Sequence, residues 1–178
     1  RAELVDGLLD RPEYADFWAN KWADLLRPNP YRVGIKPTMA LDAWIREQFR
    51  RNAPYDQFVR ELLTAQGSTW RNGAATLFRD RRTPDEITPV VSQLFLGIRL
   101  ECAKCHHHPF EVWGQDDYYG LAAFFTRLEV RDNGEKGRFG GMHIVRPVAK
   151  EMKQMQVASP PRLFGQATAL DPAATPDV

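Results

Sequence analysis

The sequence has only two cysteines, Cys102 and Cys105, and just two residues separate them. A disulfide between them would close a very small loop, and the stabilisation that a disulfide gives grows with loop length. The pair therefore cannot staple the fold. We expect it to serve local chemistry: cofactor attachment, metal ligation or thiol redox.

Long hydrophobic runs and an excess of charge of one sign are also missing. No apolar run approaches the roughly 18 residues that a bilayer-spanning helix needs, so no membrane span is expected. The formal net charge is +1, which favours neither nucleic acid nor an acidic surface as a partner. The sequence contains no nucleotide-binding loop, no diagnostic Ser/His/Asp arrangement and no pair of catalytic carboxylates. A non-enzymatic role is therefore favoured over an enzyme.

What is present is the composition of an ordinary folded protein. The chain has 178 residues, of which 43% are hydrophobic, enough for one domain with a real core or one domain plus a tail. It begins at Arg1, without an initiator Met and inside a helical pattern. We therefore expect a processed chain or a fragment.

Helical periodicity dominates the first part of the sequence. Residues 2–26 predict a helix that is broken near Pro12, with an apolar stripe in each half. Thr38 is predicted to cap the next helix, and Gly67 to end the one after that. Residues 27–37 and 68–82 are expected to be loop or irregular.

Two helices are predicted to bracket the cysteine pair. Thr83 and Glu86 form a capping-box pattern at the start of the first. The apolar run from Val90 is predicted as one buried helix that carries the cysteine pair at its C-terminal end. The second helix is expected to open at Gly114, with an acidic pair in its first turn.

These patterns predict a mainly α fold, an irregular helical domain of about five or six helices. We expect residues 1–130 to form this domain and residues 131–178 to form a small hairpin followed by an Ala/Pro-rich C-terminal extension.

Cys102, Cys105 and the adjacent His106 have the C-x-x-C-H spacing by which c-type haem is attached. The two thiols lie about one helical turn apart and add to the two vinyl groups of haem, while the histidine becomes the first axial ligand of the iron. The sequence thus predicts one covalent haem c and single-electron transfer. Covalent haem c also implies maturation outside the cytoplasm.

Four stretches resemble the planctomycete cytochrome-like family, which consists of modular extracytoplasmic proteins largely of unknown function. The block around C-x-x-C-H followed by His108-Pro109-Phe110 is the most specific of them. The resemblance implies a cytochrome role in a periplasmic or extracellular setting, with redox partner proteins, neighbouring cytochrome domains or copies of itself as partners. The matching stretches are Leu4–Leu26, Pro54–Leu63, Gln93–Trp113 and Asp116–Phe125.

Two positions depart from the family pattern. His107 stands where members typically carry Asp or Asn, and the chain reads His143-Ile144-Val145-Arg146-Pro147 where they tend to carry His-Pro. For the second axial ligand we favour His143, which lies on a predicted hairpin able to fold over the distal side. The other candidates are His108, Met142, Met152 and Met155.

The cysteine pair also fits a zinc site without haem. Cys102, Cys105 and two of the three residues His106, His108 and His143 would give a tetrahedral Cys2His2 set. In that case the domain is a structural metal-binding module of a larger extracytoplasmic assembly. A thiol–disulfide pair is the third alternative, although such pairs usually begin a helix that follows a strand.

Overall fold

The computed structural model describes residues 1–137 and 140–147 of the chain. Within this part helices dominate and a small three-stranded sheet is present, which confirms the predicted mainly α fold with a hairpin. The predicted extension from residue 148 onward, with Met152 and Met155, lies outside the described residues. The helices are α1 (Ala2–Leu9), α2 (Pro12–Leu26), α3 (Pro30–Val33), α4 (Ile35–Arg50), α5 (Tyr55–Leu63), α6 (Thr76–Asp80), α7 (Pro84–Phe95) and α8 (Gln115–Ala123). The strands are β1 (Gly67–Ser68), β2 (Leu128–Gly137) and β3 (Gly140–Pro147).

The described residues contain more helices than the five or six predicted, because the first helix divides and short helices form in expected loops. Pro12 takes the first position of α2, where its missing N–H leaves no hydrogen bond unmade. The short α3 forms inside the expected loop 27–37. The predicted cap at Thr38 is wrong, since α4 already begins at Ile35 and the Thr38 hydroxyl donates to the Gly34 carbonyl at 3.0 Å.

The predicted helix end at Gly67 is also wrong. α5 ends at Leu63, and Gly67 lies in β1 with a φ of +89°, a conformation that favours glycine. β1 pairs antiparallel with β3, with Gly67 opposite Val145 and Ser68 opposite Ile144. β3 is the central strand of the sheet, between β1 and β2.

The chain divides into two compact units, each with its own buried residues. The first unit comprises residues 1–80 and 130–146, and its core is built on fully buried side chains such as Leu41, Ile45 and Leu62. The second comprises residues 81–129, with Pro147, among the described residues. Its core includes Ile87, Leu100 and Tyr118.

One glycine of the first unit marks a close approach between two backbone segments. A Cβ added at Gly73 would lie 2.0 Å from the Ala40 carbonyl oxygen and 2.8 Å from the Leu41 backbone nitrogen. The 3₁₀ helix Gly73–Ala75 therefore packs against α4 at a distance that only glycine allows. This contact orders part of the stretch 68–82, which was predicted to be irregular.

The apolar stripe of α1 is exposed. Leu4, Val5, Leu8 and Leu9 are each exposed, and the helix has no buried residue. In α2 the buried residues are Ala15, Ala19 and Leu26, whereas Phe17 and Trp18 are exposed. Two alanines and Leu26 thus form the buried face of α2, and the aromatic side chains of Phe17 and Trp18 lie outside it.

Candidate functional site

The cysteine pair does not lie at the end of a long buried helix, so that prediction is wrong. α7 ends at Phe95, and Gly97 follows with a φ of +69°, which turns the chain out of the helix. The Ile98 amide then donates back to the Ser92 carbonyl at 3.1 Å. Cys102 lies on a separate short 3₁₀ helix, Leu100–Lys104, called the motif turn below, and Cys105 is the residue that follows it.

The motif turn presents three different faces because side chains three residues apart eclipse each other in a 3₁₀ helix. Leu100 and Ala103 are both fully buried. Cys102 is half-buried, and Cys105, which directly follows the turn with helical backbone angles, is exposed. Both cysteines are free, and their spacing of three residues is the one at which side chains of a 3₁₀ turn fall on the same side.

The buried face of the motif turn is held by α8. Leu100 and Ala103 form one cluster with Tyr118, Tyr119 and Ala122. The two tyrosine rings meet edge to face, with centroids 5.2 Å apart. Packing of this kind fixes the rotation of the turn about its axis, and so fixes which side the thiols face.

Side chains of α8 also donate hydrogen bonds to the last carbonyl of the motif turn. The Gln115 side-chain amide donates to the Lys104 carbonyl at 3.1 Å, and the Tyr119 hydroxyl donates to the same carbonyl at 3.4 Å. Unpaired carbonyls at the end of a helical turn otherwise need water or a cap. The backbone between the two cysteines is therefore anchored from outside the turn.

Asp85, in the first turn of α7, joins the motif turn to α8. One of its oxygens accepts a hydrogen bond from the Tyr118 hydroxyl at 3.1 Å, and the other pairs with the Lys104 ammonium at 3.2 Å. Burial, together with the nearby Asp85 charge, raises the pKa of the Tyr118 phenol well above its ordinary value. Tyr118 therefore keeps its proton and remains a hydrogen-bond donor to Asp85.

His106 is exposed and has one ring nitrogen engaged by the backbone. Its Nδ1 lies 2.6 Å from the His107 carbonyl oxygen. A carbonyl only accepts hydrogen bonds, so Nδ1 carries the proton and Nε2 carries the free lone pair. Histidines that ligate metals in proteins typically donate their other ring N–H in this way.

His107 contributes its backbone carbonyl to His106, while its side chain lies against Gly114. A Cβ added at Gly114 would come within 3.1 Å of the His107 Nδ1 atom. Gly114 is also the N-cap of α8, where its amide donates to the Asp117 carboxylate at 2.9 Å. The predicted opening of this helix at Gly114 is thus confirmed.

His108 organises the loop that follows. Its Nδ1 accepts hydrogen bonds from the backbone amides of Phe110 at 3.3 Å and Glu111 at 3.1 Å. The His108 amide itself donates to the Trp113 carbonyl at 2.8 Å. Since Nδ1 acts as the acceptor, the proton of the neutral ring is on Nε2. Ligation of a metal through Nε2 would move that proton and break both bonds to the loop.

The same loop projects two apolar side chains outward. Phe110 is 92% exposed and Val112 is 91% exposed, although Trp113 beside them packs on the buried cluster. The Trp113 indole N–H donates to the Glu111 carboxylate at 2.6 Å. An apolar surface therefore adjoins the thiols and His106 in the sequence and in this unit.

The remaining predicted ligands lie elsewhere in the chain. Met142 and His143 both fall on β3, which belongs to the first unit. His143 is half-buried, and its carbonyl accepts the Thr69 amide at 3.0 Å. Its assignment as second axial ligand stays a prediction. Among residues 1–137 and 140–147, no three His, Cys, Asp or Glu side chains are grouped as metal ligands.

The donors of the motif turn fit a covalently attached haem. Covalent attachment requires two accessible thiols on one side of a turn and a neighbouring imidazole with a free nitrogen lone pair. Cys102, Cys105 and His106 supply these groups. Gln115, Tyr119 and Asp85, which hold the turn, were missed from the sequence. Of these three residues, only Asp85 could have been suspected from the sequence, because it lies in the first turn of a predicted helix.

The described fold and the motif turn define a class of mainly helical protein that carries a C-x-x-C-H turn packed on a helix. The sequence profile of the family PSCyt2, described as a protein of unknown function (DUF1549), matches residues 1–130, and the chain belongs to this family. No curated protein and no solved structure matches the chain. Within the described residues, no helix has the length and apolar character needed to cross a membrane.

Proposed function

We propose that this chain is a c-type cytochrome-like domain that transfers single electrons through one haem bound to Cys102 and Cys105. The observation that carries the proposal is the hydrogen bond from His106 Nδ1 to the His107 carbonyl. It leaves Nε2 available as the proximal ligand, next to two accessible thiols on one side of the motif turn. When bound, a c-type haem supplies a one-electron iron couple.

The residues around the thiols have separate tasks in this proposal. The two cysteines would hold the haem through thioether bonds, and His106 would bind its iron through Nε2. Leu100 and Ala103 keep the turn fixed on α8, so the thiols need no reorganisation to react. Asp85 compensates the charge of Lys104, which lies between the two cysteines in the sequence.

We further propose the wider setting that this chemistry implies. Our proposal is that, within PSCyt2, the chain belongs to the planctomycete cytochrome-like group and acts in the periplasm or outside the cell. Its partners are redox proteins, neighbouring cytochrome domains or other copies of the chain. The exposed side chains Phe110 and Val112 supply apolar surface beside the site, either for the haem edge or for such a partner.

The test is a pyridine haemochrome spectrum and an intact mass on protein expressed with the haem c maturation system. The wild-type chain is expected to show a Soret band and to gain the mass of one haem. The double variant Cys102→Ala/Cys105→Ala should gain none. His107→Asn is the matched control, because it changes a neighbouring side chain but keeps the backbone carbonyl that accepts from His106.

Absence of both the Soret band and the added mass would refute the cytochrome proposal. Stoichiometric zinc in the same sample, lost in the double cysteine variant, would instead establish the structural metal-binding module. His106→Ala separates the two thioether bonds from axial ligation. It should perturb the haem spectrum strongly, whereas His107→Asn should leave it unchanged.

His143→Ala tests the second axial ligand. If His143 binds the iron, the low-spin spectrum of the wild-type protein should change to that of a five-coordinate or methionine-ligated centre. An unchanged spectrum removes His143 from the ligand set. His108 is expected to be silent as a ligand, because its ring is engaged by the amides of Phe110 and Glu111.

A further inference from the structure

The first unit contains a small pocket walled by aromatic rings. The pocket lies between α2, α4 and α5, and its volume is about 130 Å³. That is room for roughly four waters at the liquid's 30 Å³ each, comparable to a trimethylammonium group. Its lining residues are Tyr14, Trp22, Gln48, Phe49, Asn52, Ala53, Tyr55 and Phe58.

The rings that line the pocket pack against one another at steep angles. The Trp22 and Phe58 centroids are 4.8 Å apart with an interplanar angle of 61°. Trp22 and Tyr55 are 6.2 Å apart at 47°, and Phe49 and Phe58 are 6.3 Å apart at 48°. A cation within about 6 Å of a ring centroid is attracted by the negative face of the ring. Because these centroids lie 4.8 to 6.3 Å apart, one point in the pocket can fall within that distance of more than one ring.

One polar side chain of the pocket wall, Gln48, offers no free acceptor to a cation that has N–H donors. Gln48 is buried, and its side-chain oxygen already accepts from Arg51, with the Arg51 Nε at 3.1 Å. Its side-chain nitrogen donates to Glu61 at 2.7 Å. A primary ammonium would lose its water bonds on entry and find no acceptor on Gln48. A quaternary ammonium has no N–H to satisfy.

We propose that this aromatic pocket binds the quaternary ammonium group of a small solute of the choline or betaine type. Aromatic cages recognise such groups through cation–π attraction. The site is a property of the first unit and uses none of the residues assigned to haem. Tyr55 is 56% exposed and lies at the opening of the pocket, whereas Phe58 is 4% exposed and forms its floor.

The experiment is a titration of the full chain with choline chloride, followed by the tryptophan indole N–H signals in NMR. Ionic strength is held constant with sodium chloride. The neutral carbon isostere 3,3-dimethylbutan-1-ol is titrated in parallel. Saturable binding of choline, at least several-fold tighter than that of the isostere, is expected.

Tyr55→Leu removes one ring from the opening and is expected to weaken choline binding by roughly 2- to 30-fold. Tyr55→Phe keeps the ring and should bind as the wild type does. Tyr31→Leu is the matched control, because Tyr31 is fully exposed and does not line the pocket. It should leave choline binding unchanged.

A lipid headgroup offers the same chemistry as a free solute, so phosphatidylcholine and phosphatidylglycerol vesicles form a further arm. Tyr55-dependent sedimentation with phosphatidylcholine alone would support the quaternary ammonium site and identify a lipid as the source. Choline binding without vesicle binding would identify a free solute. No saturable choline binding, equal binding of the neutral isostere, or full binding by Tyr55→Leu would each overturn the proposal.

Discussion

His106, His107 and His108 have the same side chain, and the backbone around them gives each ring a different capacity. His106 donates from Nδ1, so in the neutral ring its lone pair is on Nε2. His108 accepts at Nδ1 and therefore carries its proton on Nε2. Because a metal binds the nitrogen that has no proton, His106 can act as a ligand without breaking a loop contact, whereas His108 cannot.

Replacing His108 should loosen the loop without touching the thiols. His108→Ala removes the acceptor of two backbone hydrogen bonds, each of which contributes about 0.5–1.5 kcal/mol. The amides of Phe110 and Glu111 are therefore each expected to exchange their hydrogens roughly 2- to 13-fold faster. Hydrogen exchange followed by NMR measures this directly. His107→Asn should leave both amides protected, and unchanged exchange in His108→Ala would contradict the assigned role.

Tyr118 should make stability depend on pH in the alkaline range. Burial and the Asp85 charge raise its folded-state pKa above the unfolded value of about 10. The contribution of Tyr118 to the free energy of unfolding is therefore fully present below pH 10. As the pH rises above 10, this contribution is lost by up to about 1.4 kcal/mol per pH unit.

The measurement compares urea unfolding of the wild type and Tyr118→Phe at pH 8, 10 and 11, with reductant present. At pH 8 the variant should be less stable by about 1 kcal/mol, because it lacks the hydrogen bond to Asp85. Above pH 10 this gap should narrow, since only the wild type carries the titrating phenol. A gap that stays constant to pH 11 would show that the Tyr118 pKa is not raised.

At the scale of elements, the start of α7 was predictable and its end was not. The capping box is confirmed: the Thr83 hydroxyl accepts from the Glu86 amide at 3.3 Å, and the Glu86 carboxylate accepts from the Thr83 amide at 3.2 Å. These are local interactions between residues three apart, so local sequence encodes them. The end of α7 depends on Gly97. A glycine in the sequence is compatible both with a helix that packs closely on a neighbour and with a left-handed residue that ends the helix.

The prediction of one continuous helix from Val90 to the cysteine pair is wrong for a related reason. An apolar run indicates that part of it is buried, and Leu100 and Ala103 of the motif turn are buried. It does not distinguish an α-helix from a loop followed by a 3₁₀ turn over so few residues. The supports of the turn, Gln115 and Tyr119, act on a carbonyl eleven and fifteen residues away, which no local pattern reveals.

The close approach at Gly73 gives a prediction for an element contact. Gly73→Ala would place its Cβ against the Ala40 backbone, which cannot rotate away as a side chain can. We expect a loss of about 3 kcal/mol in the free energy of unfolding, at the upper end for overpacked sites. Urea denaturation with a linear extrapolation measures it.

Gly7→Ala is the matched control for this variant. Gly7 lies in α1, and an added Cβ would meet nothing within 4 Å. Because alanine is the better helix former by about 1 kcal/mol, this change should be neutral or slightly stabilising. Equal destabilisation by both substitutions would show that the cost at Gly73 does not come from the α4 backbone.

At the scale of the whole molecule, the two proposed activities fall in different units. The motif turn belongs to the second unit and the aromatic pocket to the first. Sequence alone predicted the helical domain and the hairpin that follows it. It could not show that residues 130–146 return to the first unit, because the pairing of Ser68 with Ile144 joins segments far apart in the chain.

Each unit has its own core, so a cavity made in one core should destabilise mainly the unit that contains it. Leu100 and Leu62 are both fully buried, the first beside the thiols and the second in α5. Leu100→Ala and Leu62→Ala should each cost about 2–5 kcal/mol. Leu100→Ala is expected to raise hydrogen exchange in the motif turn and α8 but not in α4.

Leu62→Ala provides the reciprocal test, since it should raise exchange in α4 and α5 and leave the motif turn protected. The two variants remove the same side chain from equally buried positions. Any difference between their hydrogen-exchange patterns therefore reflects the unit in which the cavity lies and not the size of the cavity. If both variants raise exchange throughout the described residues, the chain unfolds as one cooperative unit. Haem attachment would then depend on the integrity of the first unit as well as on the motif turn.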